Sequence, residues 1–359
     1  MKRNDISDEA VAGMVAHLDS TWTVASVEPL ADGANSTFVV EVVGGDGPRR
    51  VVLKTATGEY RDVVARSRAE PRLLRVVRRE TSVPVPRVLG FRAAHETYPA
   101  PFYVMEHVAG ETFEDQVPPS DVRERILWEA GRNLADLHAL GPLDSVGTVG
   151  AQDGEVTVLD TGKSPEYDKF HDWLLDRCET ALEDIERNGG WFPELTDDPD
   201  RFDDLVPDLR RYIRREVSNL PDPEPPTFCH KDYRTGNLVV DPETGATEAV
   251  LDWGLVMAAP PAFNLALTEQ KLLSPDLNHD SYAATGYAGE LRDILWDAYA
   301  DSRPGWTFDE ATRERIRAYR LSYRLAAMAC LPLWYRNDDR PKSRDVRAME
   351  HRAFVEQYL

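Results

Sequence analysis

Residues 230–254 constrain this chain more than any other stretch. They read His230-Lys231-Asp232-Tyr233-Arg234-Thr235-Gly236-Asn237, an apolar Leu238-Val239-Val240, a turn at Asp241-Pro242-Glu243-Thr244-Gly245, a second apolar run at Ala249-Val250-Leu251, and then Asp252-Trp253-Gly254. Two short apolar runs around a Pro/Gly/Asp turn predict a tight hairpin. Such a hairpin brings Asn237 and Asp252 side by side, with Asp232 on the same loop as Asn237. A lone Asp before a turn is usually a cap or turn residue. The set at this spacing asks for more. A carboxylate beside paired Asn and Asp oxygens is what phosphoryl transfer uses to orient an attacking hydroxyl and hold Mg²⁺. His230 is expected to pack and hydrogen-bond so that the loop keeps its shape.

The flanking sequence predicts two lobes, 1–108 and 109–359. In the first, Ala10, Val11, Met14, Val15 and Leu18 recur at helical spacing behind the candidate cap Ser7. Strands are predicted at Thr21–Leu30, Ser36–Val43 and Arg49–Thr55, a helix at Arg61–Arg79, and further strands at Arg87–Phe91 and Phe102–Val108. After Gly110 the patterns turn helical: Asp121–Leu140, Tyr167–Arg187, Arg201–Leu220, and Asn264 to the C-terminus. A thin connection between a β-rich and a helical lobe predicts a cleft, a favoured ligand site.

Composition narrows the partners. A net charge of −21 argues against nucleic acid and anionic membranes. No run approaches the ~20 apolar residues of a membrane span, and the N-terminus shows no secretory pattern. Cys178, Cys229 and Cys330 lack metal or disulfide spacing, which suggests a reducing cytoplasm. Histidines are scattered, against a zinc site. Of the 42 basic residues only 7 are lysine: Lys2, Lys54, Lys163, Lys169, Lys231, Lys271 and Lys342. An acidic, lysine-poor chain is expected of a protein working in concentrated salt.

The segment from His230 to Gly254 resembles the catalytic loop and metal motif of the aminoglycoside phosphotransferase / choline kinase-like superfamily, relatives of protein kinases that act on small molecules. Asp-Tyr-Arg-x-Gly-Asn and the Trp after the metal Asp carry the likeness, which runs from about Val11 to Pro275. It implies a protein-kinase-like α+β fold, with a small N-lobe of antiparallel sheet plus helix and a larger, mainly helical C-lobe. It implies ATP and Mg²⁺ as cofactors, a hydroxylated small molecule as acceptor, Asp232 as base, and Asn237 and Asp252 as metal ligands. Gly33, Ala34, Asn35, Ser36 and Thr37 match the phosphate-covering loop, and Lys54 the lysine on the α- and β-phosphates. Glu70 matches its helix partner, and Glu106, His107 and Val108 the hinge against adenine.

Two positions depart from the family wording. Gly254 stands where a Glu is common, and Pro260-Pro261-Ala262-Phe263-Asn264 replaces an Asp-containing run, leaving Asn264 as the expected helix cap. His138 is expected to be a buried, hydrogen-bonded structural residue. Asp252 is followed almost at once by Pro260-Pro261, leaving no room for a long activation segment, which disfavours a protein kinase. A catalytically idle nucleotide-binding relative stays open. The helical insert from about Ser145 to Asp222, with Glu179, Glu183, Asp184, Glu186 and the Asp197-Asp198…Asp200 run, is expected to help build the acceptor pocket. Its acidity either attracts a cationic acceptor or is solvated surface.

Overall fold

The computed structural model describes residues 6–30, 36–44, 47–56, 61–114, 117–160, 165–273, 287–336 and 343–359. In chain order the elements are α1 (Asp8–Leu18), β1 (Thr23–Leu30), β2 (Ser36–Gly44), β3 (Gly47–Thr55), α2 (Arg61–Glu80), β4 (Val88–Arg92) and β5 (Phe102–Glu106). There follow α3 (Ser120–His138), β6 (Gly147–Gln152), β7 (Glu155–Val158), α4 (Phe170–Asn188), α5 (Val206–Asn219), β8 (Thr227–His230), β9 (Leu238–Val240), β10 (Thr247–Val250) and β11 (Val256–Ala259). Then come α6 (Pro261–Leu273), α7 (Tyr287–Ser302), α8 (Glu310–Trp334) and α9 (Arg344–Glu356).

The chain divides into two compact units. The first is Met1–Glu114 with Gly147–Glu166 and Gly236–Met257; the second is Asp115–Val146, Tyr167–Thr235 and Ala258–Leu359. In the first unit the strands form an antiparallel sheet in the order β1-β2-β3-β5-β4. Side chains alternate across a strand. Phe38, Val40 and Val42 of β2, Val51 and Leu53 of β3, and Phe102 and Val104 of β5 therefore share one face. They close over Val11, Met14 and Val15 of α1. Each such side chain contributes about 1.5–3 kcal/mol when fully buried. Ser7 starts α1, its hydroxyl accepting from the Ala10 N–H at 3.2 Å. The alternation that buries Leu53 turns its neighbour Lys54 to the opposite face, where α2 supplies Glu70.

The expected helical insert from about Ser145 needs correction. Residues 147–158 form the antiparallel hairpin β6–β7 and belong to the first unit. Its turn is Asp153-Gly154, both at positive φ, a pairing that favours a two-residue hairpin connection. Thr148, Val149, Val156, Thr157 and Val158 supply the β-branched flanks. Strands β8 and β11 are further additions to the sequence reading. Between Asp252 and α6 lie only a 3₁₀ turn at Trp253–Leu255 and β11, so the segment is short, as expected.

The second unit is mainly helical. α3 packs on α7 through Gly131, where a Cβ would lie 2.5 Å from the Leu295 carbonyl oxygen. α6 packs on α8, joined by a buried ion pair in which the one nitrogen Arg320 Nη2 donates to both Glu269 oxygens at 2.7 Å. Among the described residues no helix is long and apolar enough to cross a membrane.

Candidate active site

In the first unit, Lys54 is the centre of a closed charge set. Its Nζ donates to Glu70 Oε1 at 2.7 Å and to Asp252 Oδ1 at 3.0 Å. Glu70 is buried and Lys54 partly so, with 12% of its side chain exposed, while the Asp252 side chain is 42% exposed, so the set opens most on the Asp252 side. Burial opposes the charge on Lys54, but Glu70 and Asp252 outweigh it and hold the ammonium well above its ordinary range. Burial pushes the Glu70 carboxyl up, against the pull of Lys54. Glu70 Oε1 also accepts the Trp253 N–H at 3.1 Å, which ties α2 to the turn carrying Asp252. Tyr103, directly opposite Lys54 in the β3–β5 register, was not anticipated as a neighbour. Its hydroxyl is pushed up by burial and by Glu70.

The β9–β10 hairpin forms as expected, pairing Val250 with Leu238. Asp241 Oδ1 accepts from the N–H groups of Glu243 and Thr244, and Gly245 takes φ +70, which together close the turn. One step beyond the last pair, the Leu251 N–H donates to the Asn237 carbonyl at 2.8 Å. Asn237 and Asp252 thus flank the same end of the hairpin. Asp252 holds φ 58 and ψ 66, left-handed backbone for a residue with a Cβ, a kind of strain that concentrates at functional sites. At Gly254 a Cβ would sit 3.6 Å from Asp252 Oδ1 and 3.7 Å from Glu70 Oε2. A glutamate there would add a third carboxylate to this cluster.

Of the predicted phosphate loop, Gly33, Ala34 and Asn35 lie outside the described residues. Ser36 is buried at the start of β2, and Thr37 faces Lys54 across the β2–β3 register. The Glu106 carboxylate is engaged locally, accepting the Arg87 N–H at 2.8 Å. His107 and Val108 continue from β5. Beyond them Glu111 and Val240 exchange backbone hydrogen bonds at 2.9 and 2.8 Å. Gly110 permits that approach: its φ is +142, and a Cβ would meet the Val240 oxygen at 2.8 Å.

In the second unit, Asp232 follows β8. Lys271 of α6 donates to its Oδ1 at 2.6 Å, and Arg234 Nε to its Oδ2 at 3.3 Å. Burial would raise the carboxyl, but the two cations outweigh it and hold it far below the usual carboxylate range. The loop is pinned from behind. The Asp232 N–H donates to His230 Nδ1 at 3.2 Å. Asn264 accepts from the His230 N–H at 3.0 Å and donates to the His230 carbonyl at 2.9 Å. Asn264 is therefore no helix cap: α6 begins at Pro261, and the amide side chain bonds the loop instead. His138 is buried, as expected, with its Nε2 3.1 Å from Asn264 Oδ1 and its Nδ1 2.9 Å from the Tyr299 hydroxyl. Tyr233 is buried beneath the loop and accepts from Asn133 at 3.0 Å.

Sequence reasoning missed Lys271, Arg234 and the Asn264 grip. The scarcity of lysine that singles out Lys54 applies equally to Lys271. Among the described residues no three His, Cys, Asp or Glu side chains converge to hold a metal. Asn237 and Asp252 offer oxygens, which suit a hard cation that also takes phosphate ligands.

Residues 26–319 match a family described as the phosphotransferase enzyme family. The chain belongs to that family. Solved structures of phosphotransferases share its kinase-like fold over nearly the whole chain. An aminoglycoside 2'-phosphotransferase in complex with GDP superposes with a TM-score of 0.60 at 14% identity, covering 98% of this chain and 97% of the other. A spectinomycin phosphotransferase in complex with ADP and spectinomycin gives 0.54 at 14% identity, covering 99% and 100%. Among curated proteins, the "Probable acyl-CoA dehydrogenase IBR3" of Arabidopsis thaliana is 28% identical over 232 residues, 62% of this chain and 25% of the relative. The phosphotransferase chain spans a quarter or less of the length of the curated relatives it matches.

Proposed function

We propose that this phosphotransferase moves the γ-phosphoryl group of ATP to a hydroxyl of a small molecule, with Mg²⁺. The observation that carries the reading is Lys54 held between Glu70 and Asp252 at 2.7 and 3.0 Å. A partly buried lysine whose ammonium is favoured by one carboxylate behind it and one half-exposed carboxylate beside it is suited to nucleotide phosphates. Residues 1–108 would form the nucleotide lobe, with Thr37 beside Lys54 and the backbone of 106–108 meeting the base. Asn237 and Asp252 would hold the metal. When bound, Mg²⁺ supplies charge neutralisation at the phosphate oxygens.

Asp232 orients the acceptor hydroxyl. A new bond forms between that oxygen and phosphorus, the bond to the β-phosphate oxygen breaks, and the hydroxyl proton passes to the Asp232 carboxylate. A carboxylate held this strongly ionised is a weak base, so its main contribution is orientation, with the proton moving late. That fits a loose phosphoryl transition state, where positioning outweighs proton abstraction. The unpaired cysteines fit a reducing cytoplasm.

The test is Mg-ATP turnover, read as ADP release in molar KCl against a panel of hydroxylated small molecules. Asp232→Asn is expected to bind ATP with unchanged affinity and to lose about 10²–10⁴-fold in turnover. A variant as active as the wild type removes Asp232 from the chemistry. ATP binding with no turnover on a broad panel favours an idle nucleotide-binding relative.

A further inference from the structure

Both hydrogen bonds on the Glu70 carboxylate fall on one oxygen. Oε1 accepts from Lys54 at 2.7 Å and from the Trp253 N–H at 3.1 Å. Oε2 is buried and has no hydrogen-bond partner among the described residues. The Tyr103 hydroxyl is in the same condition, buried and without a hydrogen-bond partner among them. An unpaired buried polar atom is costly. A phenylalanine at 103 would fill the same space at no such cost, so the hydroxyl calls for a reason.

The two unpaired groups are neighbours. They fall short of a hydrogen bond with one another, yet each acts on the other. Burial raises both; Lys54 and the phenol draw the Glu70 carboxyl down, while Glu70 drives the phenol further up. A phenol that keeps its proton can donate. The carboxylate beside it accepts, whereas the Lys54 ammonium has only donors to offer. Tyr103 also stands on a strand held from both sides, opposite Lys54 of β3 and Phe91 of β4. The hydroxyl is therefore a fixed post beside a carboxylate bonded through one oxygen, which can still pivot about that oxygen. A second bond on Oε2 would fix its plane.

We propose that Tyr103 is a positioning residue of the nucleotide site: its hydroxyl donates to Glu70 Oε2 when Lys54 turns from Asp252 to the nucleotide phosphates, and so keeps the Glu70 carboxylate aimed at Lys54. This rests on the kinase reading above, in which the phosphates and the metal engage Lys54 and Asp252 and leave Glu70 to hold the lysine.

The test reads Mg-ADP affinity by calorimetry on the full chain, which requires no acceptor. Wild type, Tyr103→Phe, Glu70→Ala and the double variant are compared, with the urea midpoint of each. Tyr103→Phe is expected to bind Mg-ADP about tenfold more weakly, because the lost hydrogen bond is to a charged group. Its urea midpoint is expected to stay or rise, since an unpaired buried hydroxyl has been removed. In the Glu70→Ala background the same change is expected to alter affinity by less than about twofold, the partner being gone. An equal loss in both backgrounds would overturn the positioning role, because the hydroxyl would then act without Glu70. Unchanged affinity in Tyr103→Phe, or a loss that comes with a lower urea midpoint, would reduce the phenol to core packing and overturn it too, while leaving the kinase reading standing. A wild type that binds no Mg-ADP defeats the kinase reading and the inference together.

Discussion

Burial sets the protonation of His138, and its hydrogen bonds depend on that state. Burial takes its pKa down to about 3, although Asn264 pulls the other way. The neutral ring can then carry its proton on Nε2, donating to Asn264 Oδ1, while Nδ1 accepts from the Tyr299 hydroxyl. The unfolded chain titrates its histidines near 6.5. Between about pH 3 and 6.5 the unfolded state therefore binds one more proton here, and stability falls as pH falls, by about 1.4 kcal/mol per unit. Urea unfolding at pH 7 and pH 5 checks this. Replacing His138 with Gln is expected to shrink the stability difference between the two pH values by about 2 kcal/mol. An unchanged difference would mean that the imidazole titrates as if exposed. The structural role of His138 was legible in sequence because Leu134 to His138 resembles a helix common in the family. Its partners Asn264 and Tyr299 lie 126 and 161 residues away, beyond the reach of local pattern.

At the scale of elements, the packing of α3 on α7 turns on one glycine. A Cβ on Gly131 would meet the Leu295 oxygen at 2.5 Å, the Tyr299 nitrogen at 2.8 Å and the Ala298 Cβ at 2.9 Å. Two of these are backbone atoms, which cannot swing away. Gly131→Ala would gain up to about 1 kcal/mol of helix propensity. The enforced separation of the helices is expected to outweigh it, for a net loss of about 1–3 kcal/mol in chemical denaturation. A stabilised variant would show that α7 shifts without cost. Most element positions were readable from periodicity and punctuation, down to the Ser7 cap and the Asp241 turn. The β6–β7 hairpin was not. Its strands are short and glycine-rich, and the Asp153-Gly154 signal lies between long helical patterns that dominate any wider window. Strands β8 and β11 are only four residues long, too few to register an alternation.

At the scale of the whole molecule, a formal charge of −21 must be tolerated by the folded state. Many carboxylates are locally matched, as in the set of Arg201 with Asp197, Asp198 and Asp345, but the surplus remains. Self-repulsion over distances shorter than about 10 Å persists at 0.1 M salt, and at 1 M the screening length falls to about 3 Å. The urea midpoint is accordingly expected to rise between 0.1 M and 2 M KCl. A fall would mean that surface ion pairs, weakened by salt, contribute more than the net charge removes.

The sequence by itself determined the chemistry-bearing loop, the hairpin that sets Asn237 and Asp252 side by side, and the lysine on a strand, because each depends on a few consecutive residues and on strand alternation. It also determined the order of a β-rich and a helical portion. Only the tertiary structure decided that Gly147–Glu166 and Gly236–Met257 join the N-terminal sheet in one compact unit, and that Lys271 clamps Asp232. These are contacts between distant segments, fixed by which faces the helices bury, and no local pattern encodes which of several like charges ends opposite a given partner.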